Sequence, residues 1–398
     1  MRNYTTDWIS NCKGSWIKRV ITTQLLGVLI ACLPFGMALA ETRWTPSLWL
    51  TGIHDDNIHF SRNRTVDDYI YYIEPGVKFN YDQELTHISA DGRVIVRRYQ
   101  DNDDLDDELY RMSLKGDSNL TERMNLKGSY EFIKDTTLES ELEETGLIFT
   151  REDRTNHNVM LGPSINLTER TTLGVVARYR DVAYDSDAYV DYKVWQADLP
   201  VKWRLETQID TIYISPGYVD RDSDTNHSTS YNLSLGWDHE STERLNLHFF
   251  AGARFTEIER KATRESKENW NAIGGLQLDY DFERGVMALD FQRNLRTTAD
   301  GNQANVTRMI ASLRWHFTER FGTTLKGGYY ITKTEGVDIE NTTEYFRAGA
   351  ELFYKMTENH DIFAGYNYSQ NYRKDAPVDP RVEKNRILAG IRLNFPIQ

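Results

Sequence analysis

One cluster near the start of the chain has the residue types that acid–base chemistry requires. His54, Asp55 and Asp56 are consecutive, and a histidine beside carboxylates can act as a general base with its orienting group. The alternative interpretation is a polar edge between a strand and a loop, because no serine or further carboxylate can be placed beside the cluster. The chain has no G-x-S-x-G, H-E-x-x-H, P-loop or dinucleotide-binding motif. We therefore predict no catalytic residue, no cofactor and no metal site.

Basic side chains form the second group with chemical potential, because they recur at alternate positions of several segments. Successive side chains of a strand point to opposite faces, so these residues would share one face. A guanidinium group can bind a carboxylate as a two-pronged fork, which suits such a face to anions. The alternative is that they pair with acids of the same face, such as Asp91, Asp117 and Asp290, and only stiffen the wall. The predicted set is Arg93, Arg97, Arg111, Lys115, Arg178, Arg254, Arg308, Arg314, Lys326, Arg347 and Arg392.

The segments that carry these residues alternate between apolar and polar side chains. In 308–317 one face is Met-Ala-Leu-Trp-Phe and the other is Arg-Ile-Ser-Arg-His. In 245–256 the ten steps from Leu245 to Phe255 would span roughly 25 Å at the tilt of a membrane strand. Period-two alternation of this length predicts strands with one apolar face.

A repeated polar word separates the segments. Thr-Glu-Arg occurs at 121–123, 168–170, 242–244 and 318–320, with degenerate copies at 282–284 and 357–359. Each copy is flanked by alternating segments, which is typical of tight turns in antiparallel hairpins.

Counting segments between turn signals gives about eighteen strands, within a range of sixteen to twenty. Outward aromatic residues are expected near both strand ends, as in the two aromatic girdles of membrane barrels. We therefore predict an all-β fold over residues 41–398: a transmembrane antiparallel up-and-down β-barrel with short periplasmic turns and longer extracellular loops. The loops are predicted to be acidic, at 101–108, 139–144, 181–191 and 220–224. They would be solvated or, alternatively, would bind cations or gate the outer mouth.

The first forty residues have the pattern of a secretory signal peptide. A basic region precedes the apolar stretch 20–35, and Ala38-Leu39-Ala40 is a small-residue cleavage site. Alternatively, Leu29-Ile30-Ala31-Cys32 fits the lipobox of a lipoprotein. Both cysteines of the chain, Cys12 and Cys32, lie in this segment, so cleavage after Ala40 would leave no thiol nucleophile or thiolate metal ligand.

The charge balance restricts the partners. The whole chain has a formal net charge of −13, and residues 1–40 hold four basic residues and one acidic residue, which leaves 43 basic and 59 acidic residues after cleavage. Such acidity argues against nucleic acid as a partner. Outer-membrane lipid and lipopolysaccharide are the expected surroundings of the barrel.

The N-terminal motifs resemble a known family. Gly52-Ile53-His54-Asp55-Asp56-Asn57-Ile58, then Asp67-Asp68-Tyr69-Ile70 and Glu74-Pro75-Gly76-Val77, together with the Leu-Thr-Glu-Arg turns, resemble outer-membrane β-barrels found with bacterial exopolysaccharide systems. The resemblance implies a barrel of about eighteen strands and a role in exopolysaccharide or capsule secretion. It also implies a polysaccharide substrate and periplasmic polysaccharide-export proteins as partners, and no catalytic residues.

Three functions are compatible with these patterns. The first is a passive channel in the bacterial outer membrane that exports a polymer along the Arg-rich wall. The second is a general or substrate-specific uptake porin, and the third is an outer-membrane enzyme or adhesion scaffold. Uptake porins usually fold one long loop inward, whereas the candidate loops 133–156 and 256–269 are only moderate in length. We therefore expect an open conduit and favour export.

Overall fold

The fold is that of a computed structural model, which describes residues 41–242, 244–335, 340–374 and 381–397. The predicted signal peptide, with its cleavage site and both cysteines, lies outside these residues. Within the described ranges no helix has the length and apolarity needed to cross a membrane.

The described residues form twenty strand segments. Their bounds are β1 (Glu41–Asp55), β2 (Asp68–Gln83), β3 (Thr86–Tyr99), β4 (Asp107–Asn119), β5 (Met124–Thr136), β6 (Asp153–Asn166), β7 (Thr171–Gly174), β8 (Val176–Tyr184), β9 (Tyr192–Asp198), β10 (Val201–Arg204), β11 (Asp210–Ser223), β12 (Asn226–Thr242), β13 (Leu245–Arg260), β14 (Ser266–Phe282), β15 (Gly285–Thr297), β16 (Gln303–His316), β17 (Phe321–Glu335), β18 (Glu340–Lys355), β19 (His360–Arg373) and β20 (Arg381–Asn394).

These segments make eighteen antiparallel strands. Segments β7 and β8 both pair with β6, and β9 and β10 both pair with β11, so each pair is one interrupted strand. The second interruption contains Pro200, which has no N–H to donate to a ladder. The last strand, β20, pairs with β1 over nine residue pairs from Ser47–Asn394 to Asp55–Arg386. The sheet therefore closes, and the predicted barrel of eighteen strands is confirmed.

The Thr-Glu-Arg turns owe their repetition to the threonine hydroxyl. In three of them, the Oγ1 atoms of Thr121, Thr168 and Thr318 accept the backbone N–H three residues later at 3.0 Å. Thr357 makes the same contact with His360 at 3.1 Å. A side chain that bonds its own backbone in this way favours a turn over a continued strand. The word therefore marks where these four hairpins reverse.

The two faces of the strands differ as the alternation predicts. Large apolar side chains such as Leu235 and Ile387 are exposed on the outer face, at 61% and 62% of their surface. On the inner face Ser230, Arg254 and Thr256 are buried. An apolar outer band around a polar interior is the arrangement expected of a barrel in a lipid bilayer.

Two connections at the end opposite the Thr-Glu-Arg turns are shorter than predicted. The segment 220–224 is not a long loop, because β11 and β12 are joined by two residues, Asp224 and Thr225. Likewise, only residues 261–265 connect β13 to β14, so 256–260 and 266–269 of the predicted loop 256–269 belong to strands. A short 3-10 turn, Asp103–Leu105, lies in the connection between β3 and β4.

The connection between β5 and β6 contains the helix α1 (Thr137–Thr145). Its acidic residues were predicted to lie in a solvated extracellular loop, and that prediction is wrong. Thr137, Ser140, Glu141 and Thr145 are buried. The helix lies inside the barrel, where Glu139 contacts Arg97 of β3 and the Thr145 carbonyl contacts Thr332 of β17.

Candidate functional site

The segment 137–152 leaves the wall and returns to it at neighbouring strands. Its two ends are joined by the Thr137 backbone N–H, which donates to the Glu152 carbonyl at 3.0 Å. The Thr137 hydroxyl also donates to the Thr150 carbonyl at 2.6 Å. These bonds close the base of the segment beside β5 and β6, so the residues between them form one compact loop.

The tip of this segment reaches the opposite wall of the barrel. The Thr332 hydroxyl of β17 donates to the Thr145 carbonyl, and the Asn371 amide of β19 donates to the Gly146 carbonyl at 2.8 Å. Since β17 is the fifteenth of eighteen strands and β6 is the sixth, the segment spans the lumen. We call residues 137–152 the crossing segment.

Gly146 allows this close approach. It ends α1 in the left-handed region with φ of 71°, where glycine has no steric cost, and its N–H donates to the Leu142 carbonyl at 3.0 Å. An added Cβ would lie 2.9 Å from the Cβ atoms of both Tyr330 and Tyr345. A larger residue would therefore be excluded both by the backbone and by the wall.

Apolar packing also fixes the crossing segment. Leu138, Leu142 and Ile148 pack against a buried cluster that the loop after β1 and the strands β16 to β18 supply. Its members are Phe60, Ala304, Val306, Tyr330 and Tyr345. These three aliphatic side chains are partly buried and together contribute a few kcal/mol to this docking, since full burial of one is worth roughly 1.5–3 kcal/mol.

Glu144 is the main charged contact of the crossing segment. Both its carboxylate oxygens lie within 2.6 Å of Arg180 Nη2, and Arg154 Nη2 lies 3.2 Å away. Arg296 Nη1 of β15 is 3.8 Å away on another part of the wall. Burial alone would raise the pKa of Glu144, but the three guanidinium groups outweigh it and hold that pKa far below its usual range. Glu144 is therefore ionised.

The other glutamates of α1 also meet arginines of the wall. Glu139 lies 2.5 Å from Arg97 Nη1, and Glu143 lies 3.1 Å from Arg347 Nη1. Glu141 is fully buried and accepts a hydrogen bond from the Tyr184 hydroxyl at 2.6 Å. The glutamates of α1 therefore pair with arginines on the inner face of the barrel wall.

A cavity of about 350 Å³ remains beside the crossing segment. Five of its lining residues are acidic and come from β3, β5 and α1, and Arg111 is its basic residue. Its charged members are Asp91, Arg111, Glu131, Asp135, Glu143 and Glu144.

The predicted basic residues near the crossing segment have different partners. Arg97 pairs with Asp107 and Glu139, and Arg347 pairs with Glu143. Arg111 lines the cavity, Arg308 lies 3.4 Å from Asp290, and Arg254 donates to the Asn294 side chain at 2.5 Å.

The remaining predicted residues lie nearer to the Thr-Glu-Arg turns. Arg93 stacks on Trp49 at 3.6 Å, and Arg392 stacks on Phe363 at 3.9 Å. Arg178 pairs with Asp198 at 2.8 Å, and Arg314 lies over the Phe353 ring at 4.6 Å. Lys115 is in register with Ser89 and Ser129, and Lys326 is in register with Ser312 and Gly349. Their predicted role in translocation stays a prediction.

Sequence reasoning missed three arginines of the site. Arg154 is fully buried between Glu141 and Glu144, while Arg221 and Arg296 lie on β11 and β15. The alternation of side chains along β11 puts Arg221 on the same face as Tyr213 and Val219. Arg221 was missed because residues 220–224 were predicted to be a loop.

The His54-Asp55-Asp56 cluster serves the closure of the barrel. Asp55 is buried and binds Arg386 Nε at 2.7 Å and Lys384 Nζ at 3.1 Å, both on β20. Asp56 accepts from the Asn385 backbone N–H at 2.7 Å. This motif therefore joins the first strand to the last. Among the described residues, no group of three or more His, Cys, Asp or Glu side chains is placed to hold a metal ion.

Comparison with known proteins matches the chain to a family model and to solved structures. The family model described as "Putative beta-barrel porin 2" matches residues 36–199. No curated protein sequence matches the chain.

Solved structures with a similar fold include three proteins of Pseudomonas aeruginosa, among them the outer membrane protein OpdK. OpdK is 10% identical, with 89% of this chain and 99% of that chain covered and a TM-score of 0.46. OccK2 (OpdF) is 10% identical, with 89% and 98% covered and a TM-score of 0.47. OccK9 (OpdG) is 11% identical, with 89% and 99% covered and a TM-score of 0.46.

The architecture defines the class of this protein. A closed antiparallel barrel of eighteen strands with an apolar outer band and a charged lumen is an outer-membrane β-barrel. The family match over residues 36–199 agrees with this class.

Proposed function

We propose that this protein is a selective diffusion porin for small hydrophilic solutes. The observation that carries the proposal is the crossing segment, which spans the lumen from β6 to β17 and β19. A segment fixed across a barrel narrows its bore, so passage depends on the size and charge of the solute. Charged side chains on both sides of the constriction make passage depend on the charge of the solute.

The same segment argues against an open conduit for a polymer. The expectation of an unobstructed lumen rested on the moderate length of the candidate loops, but sixteen residues suffice to reach the opposite wall. Export of a polysaccharide chain would require the crossing segment to move out of the lumen. It would then lose its ion pairs with Arg97, Arg154, Arg180 and Arg347 and its packing against the buried apolar cluster. We therefore favour the uptake porin, and the match of residues 36–199 to the family model "Putative beta-barrel porin 2" supports this choice.

Replacing the crossing segment tests the proposal. We expect that a variant with residues 139–149 replaced by a short Gly-Ser linker conducts several-fold more current in planar bilayers. In liposome-swelling assays, the wild-type barrel should admit monosaccharides and exclude oligosaccharides, whereas the variant should admit both.

The matched control replaces residues 261–265, which connect two strands at the same end of the barrel without entering it. It should keep the conductance of the wild type. Equal conductance and equal size exclusion in all three proteins would contradict the proposed constriction, as would passage of long polysaccharide through the wild-type barrel.

A further inference from the structure

Two arginines of the lumen lack the partners that buried charges normally have. Arg221 on β11 and Arg254 on β13 are 6% and 3% exposed. Among the residues that the structure describes, neither forms an ion pair. Their polar contacts are with neutral oxygens, those of Ser230 at 3.2 Å and Asn294 at 2.5 Å. A buried charge without a counter-charge is costly, by several kcal/mol.

The carboxylates that act on these two arginines electrostatically are already engaged. Asp220 lies 3.4 Å from His227, and Asp198 lies 2.8 Å from Arg178. The Nε atom of Arg254 is buried with no hydrogen-bond partner. This donor therefore points to an acceptor that the described side chains do not provide.

Further positive charge surrounds the pair. Arg221 and Arg254 repel each other, and Arg296 acts on Arg221 in the same sense. Arg296 is in turn within range of Arg180 and Arg308, and the Nε of Arg308 is also buried without a partner. We call Arg221, Arg254 and Arg296 the arginine cluster. Among the described residues, the carboxylate closest to this cluster is that of Glu144 in the crossing segment, 3.8 Å from Arg296.

We infer that the arginine cluster is a binding site for the carboxylate of a small solute. This inference deepens the proposed function and rests on it for its biological meaning. The class of ligand follows from Glu144, because a carboxylate is the group that this wall already binds, with Arg180 Nη2 within 2.6 Å of both oxygens. Guanidinium groups match the geometry of a carboxylate better than an ammonium does. Glu144 thus competes with the solute for the wall.

Binding can be measured without conduction. We titrate succinate into the folded barrel in detergent micelles and follow the heat by isothermal titration calorimetry. The wild type should bind succinate saturably. Arg254→Gln and Arg221→Gln should each weaken binding about ten-fold or more, since each removes a charge-assisted hydrogen bond. Glu144→Gln should bind more tightly, because it removes the internal competitor.

Three controls keep the outcome interpretable. Arg170→Gln changes charge equally, but on an exposed turn where Arg170 pairs with Glu206, and should bind as the wild type does. Arg254→Lys keeps the charge and loses the fork, so it should fall between wild type and Arg254→Gln. Every variant is checked for folding by its heat-modifiable migration on a gel.

Absence of saturable succinate binding to the folded wild type would overturn the inference, as would equal binding by wild type, Arg221→Gln and Arg254→Gln. Either result leaves the proposed porin standing, because that proposal is judged by conductance and size exclusion. The converse outcome is that succinate binds as inferred while replacement of residues 139–149 leaves the conductance unchanged. That result would refute the proposed porin and leave the inferred binding site standing.

Discussion

Glu144 shows how a single ionised residue holds the constriction. Its carboxylate meets Arg154 and Arg180 at one wall and approaches Arg296 at another. Removing it would leave buried guanidinium groups with fewer counter-charges, which is more destabilising than losing an exposed pair. The position of α1 therefore depends on the ionisation of this side chain.

The pH dependence of stability should reveal this role. The pKa of Glu144 is lowered on folding, so its stabilisation is complete above the ordinary pKa of about 4.5 and is lost as the pH falls towards the folded value. We expect the difference in thermal stability between wild type and Glu144→Gln to be constant from pH 7 to about pH 5. It should then shrink progressively below that. Thermal unfolding in micelles across this range measures it.

Glu143→Gln is the matched control, because Glu143 is 62% exposed beside Arg347 and contributes little. A difference between wild type and Glu144→Gln that vanished already at pH 6 would contradict the assignment.

The alternation of side chains along a strand predicted which face of the barrel wall each residue occupies, but not which residues it contacts. It put Arg97 and Arg347 on the inner face because that direction is a local property of a strand. The partner of such a residue can lie far away in the sequence, since Glu143 and Arg347 are 204 positions apart. The acids of 139–144 therefore looked like solvated residues of a loop.

Strands and turns were the elements that the sequence specified best. Period-two alternation and the Thr-Glu-Arg words act over a few residues, so eighteen strands could be counted without knowledge of the lumen. The crossing segment was not predictable in this way. Its docking depends on Phe60, Tyr330 and Tyr345, which are distant in the sequence.

Substitutions at adjacent positions of β16 should have opposite effects. Leu313 lies in register with Leu325 and Met287 on the outer face, whereas Arg314 lies over the Phe353 ring at 4.6 Å inside. Leu313→Arg should impair insertion, because an arginine facing lipid near the bilayer centre costs about 2–4 kcal/mol. Arg314→Leu should insert normally. Heat-modifiable migration of protein from outer-membrane fractions measures both, and equal assembly of the two variants would refute the facing of this strand.

At the scale of the whole molecule, the barrel is closed by charge as well as by backbone pairing. Asp55 of β1 neutralises Lys384 and Arg386 of β20, and the Asn57 amide donates to the Glu383 carbonyl at 3.0 Å. The sequence singled out this Asp-Asp-Asn motif for chemistry or for a strand edge. Its structural role could not be predicted, because the partners lie at the other end of the chain.

Breaking this junction should destabilise the entire barrel. Asp55→Asn would leave Lys384, 7% exposed, without its counter-charge, and removal of one partner from a buried pair costs about 3–5 kcal/mol. We expect the temperature at which the protein loses its folded migration on a gel to fall clearly. Asp82→Asn, which affects an exposed contact with His87, should change that temperature little. Indistinguishable transitions for the two variants would show that the junction is held by the backbone alone.

The closing junction also sets the order in which the molecule can fold. Every other strand pair joins segments that follow each other along the chain, so contact order is low almost everywhere. Asp55 and Arg386, in contrast, are 331 positions apart. Bringing such distant ends together costs roughly 5 kcal/mol in loop-closure entropy, which no tight turn offsets in advance. We therefore expect closure of the ring to come late in folding, after an unclosed sheet with two free edges has formed.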